Sequence, residues 1–257
     1  MRHYKPTLFF ILSLIALSVS CSRSTRLERL FDRQSPYEKY RLQLEEGHLH
    51  HTALGKDWIA AGQNSLHDSL RVNIPYQETG YLAPDAPQAI SFRYFVREGQ
   101  RLQIRLQPLT QPEARFFLDV FSVEADSSLR PLYHSDSLPQ ISYEAERDTW
   151  HLLRVQPELL RGGAYTLELR AGPSLPFPVD GRDSQAVQSF FGAPRDGGRR
   201  SHKGIDIFAP RGTPVLAVAR GVIDHRTSSG RGGKVVWLRS PDKGFRLYYA
   251  HLDSQLV

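Results

Sequence analysis

The sequence predicts a mainly β chain with a short helical N-terminal segment, and three observations carry that expectation. From Pro75 onward, short runs of alternating hydrophobicity follow one another, each bounded by turn residues. Before residue 73, apolar residues fall three or four apart instead. Finally, 40% hydrophobic and 23% charged residues over 257 positions supply enough apolar mass for a packed core. Gly 19 and Pro 17 are ordinary and exclude collagen-like or low-complexity classes. A single Cys excludes a disulfide scaffold, a zinc ribbon and a thiolate cluster.

The helical segment is expected over 22–73. Arg26 to Phe31 and Tyr37 to Leu44 carry the helical spacing, and Ser35-Pro36 is a helix start. Asp57 to Leu70 continues the pattern through Trp58, Ile59, Leu66 and Leu70. His48, His50 and His51 sit in a GHLHH cluster, read as a surface turn between two helices in preference to a metal site. Residues 75–172 are expected to form a β-sandwich. Ser91–Val96, Leu102–Leu106, Phe116–Phe121 and Tyr165–Leu169 are its predicted strands, with turns at Glu98-Gly99, Pro108, Gln111-Pro112 and Gly162-Gly163. His134 and His151 are read as structural members of it. Gly-x-Tyr-x-Leu at Gly163 to Leu167 resembles the closing strand of prepeptidase-type and jelly-roll accessory modules. The sandwich carries no catalytic constellation and is read as a recognition or positioning module, or as scaffold. Residues 173–183, rich in Pro and Gly, are the predicted linker to a last domain over 184–257.

Residues 1–21 read as an export signal. Arg2 and Lys5 precede the twelve-residue apolar stretch Leu8–Val19, which is too short to span roughly 30 Å of hydrocarbon at about 1.5 Å per residue. Ser18, Val19, Ser20 and Cys21 resemble a bacterial lipobox, although the place three before the Cys, which favours Leu, holds Ser18. That resemblance implies an exported, membrane-anchored lipoprotein of the periplasm or cell envelope, lipidated on Cys21. It also accounts for the lone thiol, which acylation would consume. The formal charge of +6 falls to +4 without Arg2 and Lys5, and its carriers are scattered. Such a balance describes a solvated surface, and with export it argues against nucleic acid as a partner.

The chemistry is expected in 184–257. His202 and Asp206 are four apart in Ser201 to Ile207. On an extended strand they would share a face yet stand about 13 Å apart at roughly 3.3 Å per residue, too far for one metal with bonds of about 2 Å. Gly204 between them can let the chain bend, with Ile205 and Ile207 anchored in a core. A helix would also bring the pair together, but Gly and two β-branched Ile in seven residues oppose one.

Ordered context surrounds the pair. Phe191-Gly192-Ala193-Pro194-Arg195 precedes it, and Ala209-Pro210-Arg211-Gly212-Thr213-Pro214-Val215, then Ala217, Ala219, Gly221 and Val222, follow. Gly232-Gly233-Lys234-Val235-Val236 and Leu247-Tyr248-Tyr249-Ala250-His251-Leu252 complete the series. Together these residues, over roughly 190–254, resemble the lysostaphin-type, or LytM, zinc metallopeptidase domain. The resemblance implies an antiparallel β domain of the duplicated hybrid motif type and a Zn2+ cofactor. His202 and Asp206 become zinc ligands, and His251 becomes a catalytic residue in the cleft that does not bind the metal. The implied substrate is a peptide cross-link of cell-wall peptidoglycan. A catalytic zinc keeps three protein ligands and a water. In the family the third is the last His of a His-x-His motif some thirty or more residues beyond Tyr-x-His-Leu. The sequence stops at Val257, so the expectation is a C-terminally truncated metallopeptidase with two of three ligands, binding zinc poorly and inactive as it stands. The alternative implied by the same family is a non-catalytic LytM-like lipoprotein that regulates cell-wall amidases. His225 is read as a surface histidine, Asp242 and Asp253 as loop acids, and Trp237 and Phe245 as core.

Overall fold

The computed structural model describes residues 34–135 and 140–257. The export signal, the lipobox with Cys21 and the helical stretch Arg26 to Phe31 lie outside the described residues. The chain divides into two compact units, the first ending at Gly172 and the second spanning Pro173–Val257. It is mainly β, as the sequence predicts.

The first unit opens with α1 (Pro36–Glu46). Ser35 caps it by accepting the Glu38 N–H, and Pro36 occupies the first turn, where its missing N–H costs nothing. His48 takes a left-handed conformation and starts a single 3₁₀ turn, Leu49–His51, so the histidine cluster is the predicted turn between helices. Thr52 caps α2 (Ala53–Asn64). The helix stops well short of the expected Leu70. Ser65 turns its hydroxyl back onto the Gly62 carbonyl, and Leu66, His67 and Asp68 close turns onto Gln63 and Asn64. Leu70–Arg71 instead forms a short edge strand, β1.

The sandwich follows as β2 (Tyr76–Leu82), β3 (Ile90–Val96), β4 (Gln100–Pro108), β5 (Phe116–Val123), β6 (Leu129–Ser135), β7 (Gln140–Glu144), β8 (Thr149–Pro157) and β9 (Gly163–Pro173). One sheet has the order β1-β3-β8-β5-β6 and the other β2-β9-β4-β7. The four predicted strands lie inside β3, β4, β5 and β9. On β4, Leu102, Ile104 and Leu106 are buried and alternate with exposed polar residues, the pattern of a sheet with one wet face. Inner-face residues of the two sheets form one core, among them Phe92, Tyr94, Leu118, Val155, Ile104 and Leu167. His151 is part of it. Its ring contacts the Tyr143 hydroxyl at 2.7 Å, and burial pushes its basicity down, to a pKa of about 4.

The outer face of the five-stranded sheet is divided. Over one half, α1 and α2 pack Tyr37, Leu44 and Trp58 against Phe117. Gln156 Nε2 donates to the Trp58 carbonyl, and Trp58 Nε1 donates to the Pro157 carbonyl, both at 2.8 Å. Beneath the helices lies a buried ion pair, Arg154 with Asp119, at 2.7 Å. The other half of this face carries Arg93, Phe95 and Trp150, and among the described residues no helix lies over it.

The second unit contains β10 (Val187–Ser189), β11 (Pro194–Arg195), β12 (Arg200–Ser201), β13 (Asp206–Ile207), β14 (Val222–Thr227), β15 (Lys234–Ser240) and β16 (Phe245–Leu252). β14-β15-β16 is an antiparallel sheet, and β10-β13 and β11-β12 are two-stranded pairs. Val235, Val236 and Leu238 are its buried centre. Trp237 and Phe245 are half-buried rather than core, and the Trp237 ring lies on Tyr248. The predicted linker does not stay outside the domain. Val179 bridges Val215 and is buried, and Pro178 and Asp180 exchange backbone bonds with Leu216 and Pro214. The stretch 173–183 therefore ends as part of the second unit.

Candidate metal centre

Two short strand pairings build the site. β10 runs antiparallel to β13 with Ser189 opposite Asp206, and the Arg195 guanidinium meets both side chains. β11 pairs with β12, Pro194 opposite Ser201, and the pairing is extended by His202 N to Ala193 O and Gly192 N to His202 O, both 2.8 Å. His202 thus leaves one ladder and Asp206 enters another. The chain bends at Lys203 and Gly204 between them.

That bend cancels the distance an extended strand would impose. His202 Nε2 lies 3.3 Å from Asp206 Oδ1. Two ligands on a tetrahedral zinc with bonds of about 2.0–2.1 Å stand about 3.3–3.4 Å apart, so the pair has the span of one edge of such a site. Gly204 does not take a left-handed φ. A Cβ at its place would meet His202 Nε2 at 3.9 Å, an ordinary van der Waals contact, so neither φ nor space demands glycine here. The expected anchoring by Ile205 fails: β13 pairs with a single short strand, and Ile205 is 49% exposed.

The second ring nitrogen of His202 is held from behind. Nδ1 lies 3.2 Å from the Phe190 carbonyl and 3.3 Å from Ser189 Oγ. These contacts fix the orientation of the ring and turn Nε2 towards Asp206. At 3.3 Å the two atoms can share a proton as an Nε2–H···Oδ1 contact or stand on two sides of one cation. A backbone carbonyl beside the second ring nitrogen is a usual support of a metal-binding imidazole. The His202 side chain is 16% exposed and that of Asp206 37%, so the pair opens to solvent on the carboxylate side.

Arg195 is the member of the site to which the sequence assigned no role. Its guanidinium donates to Asp206 Oδ2 at 2.5 Å and to Ser189 Oγ at 2.7 Å, and lies 3.2 Å from His202 Nδ1. It binds the carboxylate oxygen that does not face His202, and so presents Oδ1 to the imidazole. Only its place in the quoted Phe191–Arg195 stretch could have pointed to it.

His251 stands apart. It is the extra residue of a bulge where β16 slips register against β15, with φ 58° and its N–H on the Gly232 carbonyl at 2.8 Å. A non-glycine residue in the left-handed region is a strained feature of the kind that collects at functional sites. Its side chain is exposed. Among the described residues, no hydrogen bond joins it to His202 or Asp206. The strand bearing it is tied to the loop after β13 by Arg211 with Asp253, at 2.5 Å, and by the Val218 N–H on the Tyr249 hydroxyl, at 3.1 Å. The Arg211 hydrogen bond holds the Asp253 carboxyl below its ordinary range. His225 lies exposed on β14. Among the described residues, no group of three or more His, Cys, Asp or Glu is placed to hold a metal. The donor chemistry of His202 and Asp206 therefore fits two corners of a zinc site.

Comparison with known proteins bears on this segment. Residues 200–257 match peptidase family M23. Over 79 residues the chain is 36% identical to an L-Ala--D-Glu endopeptidase of Bacillus subtilis (strain 168), a match covering 30% of this chain and 24% of that protein. Over 55 residues it is 46% identical to the DD-carboxypeptidase/endopeptidase Mpg of Neisseria meningitidis serogroup B (strain ATCC 13091 / M2091), covering 21% of this chain and 13% of the other. The chain thus spans only a small part of the curated relatives it matches. Among solved structures, the pre-peptidase C-terminal domain of a collagenase from Bacillus anthracis aligns with a TM-score of 0.33 at 11% identity, over 40% of this chain and 95% of that one. The family match and both peptidase relatives support the LytM-type reading of the segment.

Proposed function

We propose that this chain, whose C-terminal segment is of the LytM-type, M23 peptidase kind, is a zinc-dependent endopeptidase acting on the peptide cross-links of bacterial peptidoglycan. The observation that carries the reading is the 3.3 Å approach of His202 Nε2 to Asp206 Oδ1, with Nδ1 held on the Phe190 carbonyl. His202 and Asp206 hold the metal. Zinc, when bound, polarises a scissile carbonyl and acidifies a water. Phe190 and Ser189 orient the imidazole, and Arg195 holds the far oxygen of Asp206. His251, exposed on its bulge, exchanges a proton with the reacting groups through its imidazole. In the family pattern a His-x-His motif supplies a third ligand beside His202 and Asp206. The lipid anchor on Cys21 and a location at the cell envelope belong to the same proposal. Retention of both His202 and Asp206 favours the enzyme over a LytM-like amidase regulator.

The test joins zinc titration of the chain to digestion of purified peptidoglycan by the native protein. One zinc per chain is expected, with binding weakened at least tenfold in His202→Ala and in Asp206→Ala. Cleavage by the native protein should stop in chelator. Zinc binding unchanged in both variants, or cleavage that persists in chelator, would refute the proposal.

A further inference from the structure

The half of the sandwich's outer face that α1 and α2 do not cover has a chemistry that the described residues leave unused. It forms a groove of about 500 Å³ whose lining includes Arg71, Arg93, Phe95, Glu124, Arg147 and Trp150. Its acids are already engaged. Glu124 accepts from Ser122, Arg147 and Arg130, which hold its pKa down at about 2, and Asp148 Oδ1 accepts the Glu98 N–H at 2.8 Å. Two of its arginines are not. Arg71 and Arg93 stand opposite each other across the β1–β3 pairing, and neither has a carboxylate partner among the described residues. Like charges directly opposite on paired strands are destabilising. Arg93 Nε is buried and makes no hydrogen bond, a further cost. Arg71 is held over the Trp150 ring at 4.9 Å, and Phe95 packs edge-on to the same ring at 5.5 Å. An anion in the groove beside the two guanidinia would offset their like charge. The aromatic pair beside them would take an apolar or ring-bearing portion of the same molecule.

We infer that this groove binds a carboxylate-bearing saccharide-peptide, the chemistry of peptidoglycan itself, and so presents the polymer to the chain. The choice of ligand rests on the function proposed above; the anion-binding geometry does not. Binding is measured by co-sedimentation of the full chain with purified peptidoglycan sacculi, with the same sacculi after carboxyl amidation, and with chitin. His202→Ala serves as a non-hydrolysing background. Arg71→Gln and Arg93→Gln should each weaken retention at least tenfold, as should amidation, whereas Arg97→Gln, outside the groove, should not. Chitin, with sugar rings and no carboxylates, should be retained poorly. Arg71 is exposed on an edge strand, so its variant should fold like the parent, which circular dichroism checks. Equal retention of Arg71→Gln and the parent overturns the inference, as does equal retention of amidated and untreated sacculi. Arginine-dependent binding without chelator-sensitive cleavage would leave the groove standing and remove the peptidase.

Discussion

Replacing Asp119 by Ala should be among the most damaging single changes in the sandwich. Arg154 Nη2 and Nε reach one oxygen of Asp119 at 2.7 and 3.2 Å, and Nη1 reaches the Gly62 carbonyl at 3.3 Å. The guanidinium also lies 3.5 Å from the Tyr37 ring centroid. The two charged side chains are 5% and 6% exposed, so water cannot take over when one is removed. Ala at 119 would leave a buried cation without a counter-charge, at a cost of about 3–5 kcal/mol. That is a large share of the roughly 5–15 kcal/mol that holds a domain together. Arg154→Met in the same chain should recover most of the loss, because two apolar side chains no longer need pairing. Urea unfolding followed by fluorescence reads this out, since Trp58 stacks on Tyr37 at 4.9 Å. With two units in the chain, the transition that carries the Trp58 signal is fitted separately. A loss below about 1 kcal/mol for Asp119→Ala, or no recovery in the double variant, would show that the ion pair is not what pins the helices to the sheet.

Two other outcomes follow from the same unit. His151 titrates near 4 in the fold against about 6.5 when unfolded, so between those values the unfolded chain binds the extra proton. Stability should therefore be full above pH 6.5 and fall as pH drops towards 4, by up to about 3 kcal/mol; His151→Gln should flatten that part of the profile in urea titrations at stepped pH, and an unchanged slope would exclude this histidine as the source. Gly62→Ala should destabilise by about 1–3 kcal/mol, although Ala is the better helix former. Its Cβ would collide with the Tyr37 hydroxyl and the Gln156 side-chain oxygen, and a stabilised variant in thermal melts would contradict the packing.

What could be read in the sequence depended on how many faces of an element are wet. β4 alternates because one face meets solvent, and its central residues Leu102–Leu106 were legible. β8 was not predicted, because the helices bury its second face and it reads as a continuous run, His151 to Pro157, with Arg154 and Gln156 inside. Those polar residues look like surface until their partners Asp119 and Trp58, 35 and 98 positions away, are known. The end of α2 was misplaced for a related reason. Leu66 and Leu70 keep the helical spacing, but Ser65 bonds back to Gly62 and the chain leaves the helix before either is reached.

The candidate site shows the same division between local and distant information. His202 and Asp206 are close in sequence, and the sequence could state what had to happen to them: a bend bringing two donors within reach of one ion. The structure supplies that bend, yet its cause is not the glycine. The cause is that His202 ends the pairing with residues 192–193 while Asp206 begins a pairing with Ser189, so two neighbouring ladders set the corner between them. The same ladders carry Arg195 and Ser189 to the back of the pair. No spacing rule links Arg195 to Asp206, eleven positions on, until both ladders are drawn. An imidazole and a carboxylate held in this way, with Nε2 3.3 Å from Oδ1, have the spacing of two donors to one ion.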